Sequence, residues 1–364
     1  MEKQTVNWKT IARISGAILA FAIGSGFATG QEVLQFFASY GFWGIAGAGV
    51  FLILNLFVWI NFITTGQREK FNKGSEIFQY YCGKVIGTIF DYFTVIFIFM
   101  SFVIMIAGAA STLNQHYGFP LAVGGIVIAI LACITVIFGL DTIVNVIGKI
   151  GQVIIVCTIG IAIYGLFINT TGITAGNALL PQLEVMQASK NWFLSAFSYV
   201  GFGLLWFAGF LAALGKTIES KKDAVLGVTV GTGALTLTIV FLSLALLGNI
   251  EQVAGSQIPI LYLTDNIHPT FSIIYSIIIV AGIYTTAVPL LWTVSSRFAE
   301  EKTKRFTILT IVLAIIGCYI GLEIPFNKLV NVLYVINGYV GIVLLIFMVA
   351  KLVMRKYGVT SLKA

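Results

Sequence analysis

Charge is what this chain has least of. Asp, Glu, Lys and Arg make up 10% of its 364 residues while 59% are hydrophobic, which excludes an ordinary soluble domain. Nearly all of it lies in apolar runs, so no sizeable soluble domain fits beside them. Cysteine is sparse too. Cys82, Cys133, Cys157 and Cys318 are scattered, three of them inside apolar runs, so neither a disulfide framework nor a metal site is implied. The two histidines, His116 and His268, fall in connecting loops and read as surface residues. No run carries a His/Asp/Glu cluster or a nucleophile with a base at suitable spacing, which argues against a membrane enzyme. No polar stripe recurs along several runs, as a channel would need. The net charge of +7 is not gathered on one face, so nucleic acid is not an expected partner. The first apolar run is too long, and lacks the small-residue cleavage site, to read as a removable signal.

What is there instead is a series of runs long enough to cross a bilayer. They fall at about 11–38, 42–65, 85–113, 120–139, 142–168, 192–214, 223–248, 270–297, 305–322 and 328–352. With the N-terminus inside, 19 of the 21 Lys and Arg lie on the inner side and only Lys190 and Lys328 on the outer. Adding or removing one span would scramble that split, so the expectation is ten spans with both termini cytoplasmic. Three connections look structured. Residues 73–83 (KGSEIFQYYCG) form an amphipathic inner segment along the interface, residues 169–190 are the longest outer loop, and residues 251–269 are apolar enough to dip back as an outer lid.

The most informative stretch is AFAIGSGFATGQE, residues 20–32, inside the first run. Gly24, Ser25, Gly26 and Gly30 put weak helix formers at mid-depth, each Gly costing about 1 kcal/mol relative to Ala. Broken backbone survives in hydrocarbon only where it is buried in protein or lines a cavity. The expectation is a helix interrupted at Gly24–Gly26, whose second half presents free N–H groups and a positive dipole end. Ten spans divide as five plus five, and an odd-numbered unit inverts its second copy. Residues 11–168 would then form the first repeat and 192–352 the inverted second, within one transmembrane domain over 1–364. Span six should repeat the break, and Gly201 and Gly203 bracket Phe202 at mid-depth. Paired Gly-interrupted segments point to a transporter site, whereas single membrane glycines mark close helix packing.

The motif GSGFATGQEVLQFF, residues 24–37, resembles the signature of the YkvI-like family of bacterial membrane proteins. That family resembles the amino acid–polyamine–cation superfamily, whose fold is the five-plus-five inverted repeat of LeuT. The resemblance implies an all-α membrane protein with spans one and six broken. It implies a substrate carboxylate at the N–H groups of Ser25, Gly26 and Phe27, and a substrate ammonium at carbonyls freed near Tyr199, Gly201, Phe202 and Gly203. Phe202 and Trp206 would cover an apolar substrate portion. It also implies a sodium site built from Thr285, Thr286 and the carbonyls of Gly282, Ala20 and Ile23. A second sodium site needs a polar residue where Phe27 stands, so none is expected. Against an ion, Thr hydroxyls in membranes commonly bond their own helix.

Glu32 is the one carboxylate well inside a span on this path, since Asp91, Asp141 and Glu323 lie near membrane boundaries. A residue of that kind at depth is functional by default. It would either carry protons or accept hydrogen bonds from unpaired backbone at the span-six break. The expectation is a secondary transporter of a small amino acid or related zwitterion in a bacterial inner membrane. It would need no cofactor and would be driven by Na⁺, with H⁺ as the alternative. A membrane sensor that binds a small molecule without moving it is the reading from another class. The partners are the solute and the lipid bilayer, and no residue pattern sets an oligomeric state.

Overall fold

The computed structural model describes residues 6–138 and 144–356, with the backbone alone at 144–152, 168 and 356. Lys3, Asp141, Lys363, the start of the fifth expected span and both chain ends lie outside the described residues. No strand occurs among the described residues. The chain opens with α1 (Trp8–Ala22), capped by the Asn7 side chain, which accepts from the N–H groups of Lys9 and Thr10. Two short pieces follow, α2 (Ser25–Ala28) and α3 (Gln31–Phe36). Then come α4 (Phe42–Glu69), α5 (Glu76–Tyr117), α6 (Leu121–Phe138), α7 (Val144–Ile168), α8 (Thr170–Leu179) and α9 (Trp192–Lys216). The remainder is α10 (Lys221–Leu247), α11 (Ile250–Val253), α12 (Pro259–Ile267), α13 (Pro269–Phe298), α14 (Lys304–Glu323) and α15 (Phe326–Lys356).

Eight of the described helices are long and apolar enough to cross a membrane: α4, α5, α6, α9, α10, α13, α14 and α15. Their outward residues are apolar, such as Ile53 on α4, Ile134 on α6 and Ile315 on α14, as a lipid-facing surface requires. The two remaining expected spans are also helical. The first is divided into α1, α2 and α3, and the other is α7.

Local chemistry sets the ends. Ser220, Thr303 and Asn191 cap α10, α14 and α9 by accepting N–H bonds from Asp223, Phe306 and Leu194, the usual use of these side chains. Gly83 takes φ +77 inside α5 and folds its first turns, Glu76 to Cys82, back on the rest. That segment buries Ile77, Phe78 and Tyr81, so the amphipathic stretch packs into the protein as well as lining its edge.

Hydrogen bonds gather the helix ends onto two faces. On one, Asn7 N–H donates to Asp223, Gln67 to the Glu219 carbonyl and Lys216 to the Phe71 carbonyl. This basic face carries Arg68, Lys216 and Lys221. On the far face, Tyr40 OH donates to the Ser189 carbonyl at 2.6 Å and Gln35 to the Asn327 carbonyl at 2.8 Å.

In the core, α9 packs on α4, α15 and α5, and α1 packs on α10. Small residues allow the approach: a Cβ at Gly66 would overlap the Ala212 backbone, and one at Gly215 would overlap the Ile63 carbonyl.

Candidate functional site

After Ala22 the chain leaves the helix at Ile23 (φ −85, ψ 75), and Gly24 is extended (φ −87, ψ −169). The break strands carbonyl groups. Ile23 N–H donates to Leu19 O at 2.9 Å and Gly24 N–H to Ala22 O at 3.0 Å. Among the described residues no hydrogen bond reaches the carbonyls of Ala20 or Ile23. The Phe21 carbonyl accepts from the Trp206 indole at 3.1 Å. The second part of the span is not one half-helix as expected. Ser25–Ala28 is a single turn, and Gly30, at φ +81, turns the chain again before α3. One turn sums few peptide dipoles.

Glu32, in the first turn of α3, is 3% exposed. Its Oε2 accepts from the Tyr199 hydroxyl of α9 at 2.9 Å. The Phe27 N–H and the Tyr334 hydroxyl of α15 face the same carboxylate. It lies directly over Gly26, where a Cβ would overlap Oε1. The carboxylate thus closes on the break in its own span and ties it to α9 and α15. The ion pairs among the described residues are Arg68–Glu69 and Arg297–Asp91. Glu32 is therefore buried with hydrogen-bond donors and with no cationic side chain.

Glu32 opens on a central cavity of about 40 Å³. Its walls are largely aromatic: Phe21, Phe51, Trp59, Tyr199, Phe202, Trp206, Phe207 and Tyr334. Phe202 stacks on Tyr334 with centroids 4.3 Å apart, and Trp59 on Phe207 at 4.1 Å. The Trp59 indole N–H and the Ser25 hydroxyl are buried without partners. A second cavity, of about 310 Å³, shares Phe21, Gly24, Trp206 and Thr286 with the first. It runs towards the basic-face halves of α5 and α13 past Thr94, Ile98, Pro289 and Thr293. The far side is closed by α12. Ile260 N–H donates to the Thr29 carbonyl at 3.0 Å, and the Gln115 side chain donates to the Ile258 carbonyl and accepts from its N–H. Ile258, Ile260 and Leu261 are buried, so the 251–269 segment does dip inward. Beyond it lies a cavity of about 740 Å³ whose walls include His116, Asp265 and Glu323. His116 faces that cavity, whereas His268 caps α13.

The structure brings Glu32, Tyr199, Phe202, Gly203 and Trp206 around one space. Ser25, Gly26 and Phe27 lie in the turn below and do not line it. The expected break in span six is absent: α9 is continuous from Trp192 to Lys216. Gly201 serves packing. A Cβ at Gly201 would overlap the Gly338 carbonyl of α15, and Gly203 faces Asn55 and Trp59 of α4. With no break, no carbonyls are freed near Tyr199–Gly203, and Glu32 takes its hydrogen bond from the Tyr199 hydroxyl. Ala20, Thr285 and Thr286 share the 310 Å³ cavity, while Ile23 and Gly282 do not line it. Both threonine hydroxyls donate to the Gly282 carbonyl at 2.9 Å, which occupies that oxygen and leaves hydroxyl lone pairs free. Tyr334, Trp59 and Phe51 were not expected. Asn55, polar and at depth, is the one sequence signal on α4 near Phe51 and Trp59, and nothing in the sequence aims Tyr334 at Glu32.

No family model matches the chain. It is 24% identical over 330 residues to the uncharacterized membrane protein YkvI of Bacillus subtilis (strain 168), covering 88% of this chain and 90% of YkvI. It is also 24% identical over 357 residues to the uncharacterized protein YyaD of the same organism, covering 96% and 99%. Among solved structures it matches Mhp1 in its inward-facing conformation with a TM-score of 0.56 and 15% identity, over 92% of this chain and 73% of Mhp1. It matches MhsT in complex with L-phenylalanine with a TM-score of 0.50 and 16% identity, over 87% and 80%. The chain is a relative of YkvI with a LeuT-type fold. Mhp1 is described as a nucleobase-cation-symport-1 family transporter, and the chain is a multi-pass membrane protein.

Proposed function

We propose that this chain is a secondary transporter that moves a small ammonium-bearing solute by alternating access. One observation carries the reading: a carboxylate at a broken span, facing an aromatic cavity that shares walls with a second cavity extending towards the basic face. The far side is closed over the same break by α12. A site approached from one side and sealed on the other is what alternating access needs at one end of its cycle.

Ten spans fit the described helices when the broken α1–α2–α3 run and α7 are added to the eight. The pairing of α1 with α10 and of α4 with α9 is what a five-plus-five repeat requires, since it exchanges spans one and six, and two and seven. The Lys and Arg split supports a reading with the basic face in the cytoplasm of a bacterial cell and both termini inside. Sodium is the coupling ion in this reading. The stranded carbonyls of Ala20 and Ile23 and the hydroxyls of Thr285 and Thr286 supply neutral oxygens suited to a hard monovalent cation. Proton coupling through Glu32 is the second reading, favoured by that group having no cationic partner.

The test is solute uptake into proteoliposomes under an imposed sodium or proton gradient, with thermal unfolding in Na⁺ against choline. Ligand at a hundredfold excess over Kd stabilises the folded state by about 2.7 kcal/mol. A sodium-specific shift that Thr285→Ala with Thr286→Ala removes supports sodium coupling. A shift that survives the double substitution rejects the assigned oxygens. Solute binding with no uptake under either gradient makes the protein a sensor.

A further inference from the structure

We infer that the central site is a receptor for an organic cation that carries no carboxylate, with Glu32 as its fixed counter-charge. The inference rests on the transporter reading above and names its substrate class. A buried charge is stable only when paired or well hydrogen-bonded, and Glu32 has hydroxyl and amide donors but no cation among the described residues. The missing partner belongs to the solute.

The rest of the cavity agrees. Among the described residues its walls hold no Lys, Arg or His, so none of these side chains neutralises a solute carboxylate. The place at the break where such a group would go is taken: the Phe27 N–H faces Glu32, and Glu32 covers Gly26. The unpaired Trp59 N–H is one neutral donor and does not balance a full negative charge. The continuous α9 offers no free carbonyl to an ammonium, and Ala20 and Ile23, whose carbonyls are free, do not line this cavity, which leaves Glu32 as its acceptor. The aromatic faces of Phe202, Trp206 and Tyr334 complete a surface suited to a cation with an apolar body. The space is small in this conformation, about 40 Å³, and is separated by the shared walls Phe21, Gly24, Trp206 and Thr286 from about 310 Å³ beyond. Together the two volumes are large enough for a compact amine.

The experiment uses three matched sets of probes that share a body and differ in the end group. They are ethylamine, L-alanine and propanoate; isoamylamine, L-leucine and 4-methylpentanoate; and phenethylamine, L-phenylalanine and 3-phenylpropanoate. Thermal unfolding of the purified protein reads binding, and proteoliposome uptake reads transport. At least one amine is expected to raise the melting temperature more than its amino acid, with no acid doing so. Its affinity should fall about 30-fold or more in Glu32→Gln, as expected for removing one partner of a buried charge pair. An amino acid or acid that stabilises while its amine does not overturns the inference and leaves the transporter reading standing. So does an amine shift unchanged in Glu32→Gln, or no shift from any probe. An amine that binds through Glu32 but is not accumulated under a sodium or proton gradient supports the receptor and overturns the transporter reading. If the variant does not fold, the wild-type comparison within each set decides alone.

Discussion

At the level of single residues, the site turns on which glycines have room for a side chain. Gly26 has none, because a Cβ there would overlap the Glu32 carboxylate. Gly24, two residues earlier, is extended and has no atom within 4 Å of a built Cβ. Gly26→Ala is therefore expected to push Glu32 from Tyr199 and the Phe27 N–H, at about 1–3 kcal/mol of stability. Gly24→Ala should change stability by about 0.5 kcal/mol at most. Thermal unfolding of both variants checks this, and equal losses would mean that Glu32 does not rest on Gly26. The motif itself was legible in the sequence, because glycines and a carboxylate at mid-depth are costly in lipid and need a reason. Tyr334 was not. It is one of 14 tyrosines, and only the return of α15 across the bundle sets it beside a residue some three hundred positions earlier.

Helices show the same ambiguity at the next scale. The Gly201–Phe202–Gly203 pattern reads equally as a break and as a contact surface, and the choice depends on whether a neighbouring backbone lies against it. Here the Gly338 carbonyl lies against Gly201, and Gly341 of α15 meets the Gly201 backbone in turn. Close packing repays the helix-propensity cost and α9 stays whole. Span one has no such neighbour at Gly24, so its backbone is free to part. The prediction separates the two glycines of α9. Gly201→Ala should lower stability by about 1–3 kcal/mol by forcing α9 from α15. Gly203→Ala meets Asn55 Oδ1 at 3.6 Å, an ordinary contact, and should cost little. Unfolding in detergent gives the comparison, and a Gly201→Ala variant as stable as the parent would argue against α9–α15 close packing.

Across the whole molecule, the spans and the basic face were readable because apolar length and Lys/Arg bias are local properties of the chain. The closure over the site was readable only as an apolar loop. What makes α12 a seal is a long-range clamp: Gln115, at the end of α5, holds both the N–H and the carbonyl of Ile258, and its Oε1 accepts from the Ser256 hydroxyl at 3.0 Å. That clamp sets Ile260 N–H against the Thr29 carbonyl at the far end of the broken span. Gln115→Ala removes these bonds without touching the central cavity. Each hydrogen bond contributes about 1 kcal/mol net, so loss of all three should make opening of this segment on the order of a hundredfold more frequent. Hydrogen exchange of the Ile260 and Leu261 amides should accelerate accordingly, while amides in the middle of α9 keep their rates. If the seal also governs access to the site, a cysteine at Thr293, on the basic-face cavity, should label more slowly in the same variant. Opening the far side shifts the population away from the conformer in which that cavity is open. Faster exchange at Ile260 with unchanged labelling at Thr293 would mean that α12 moves as an independent flap, uncoupled from the opposite face.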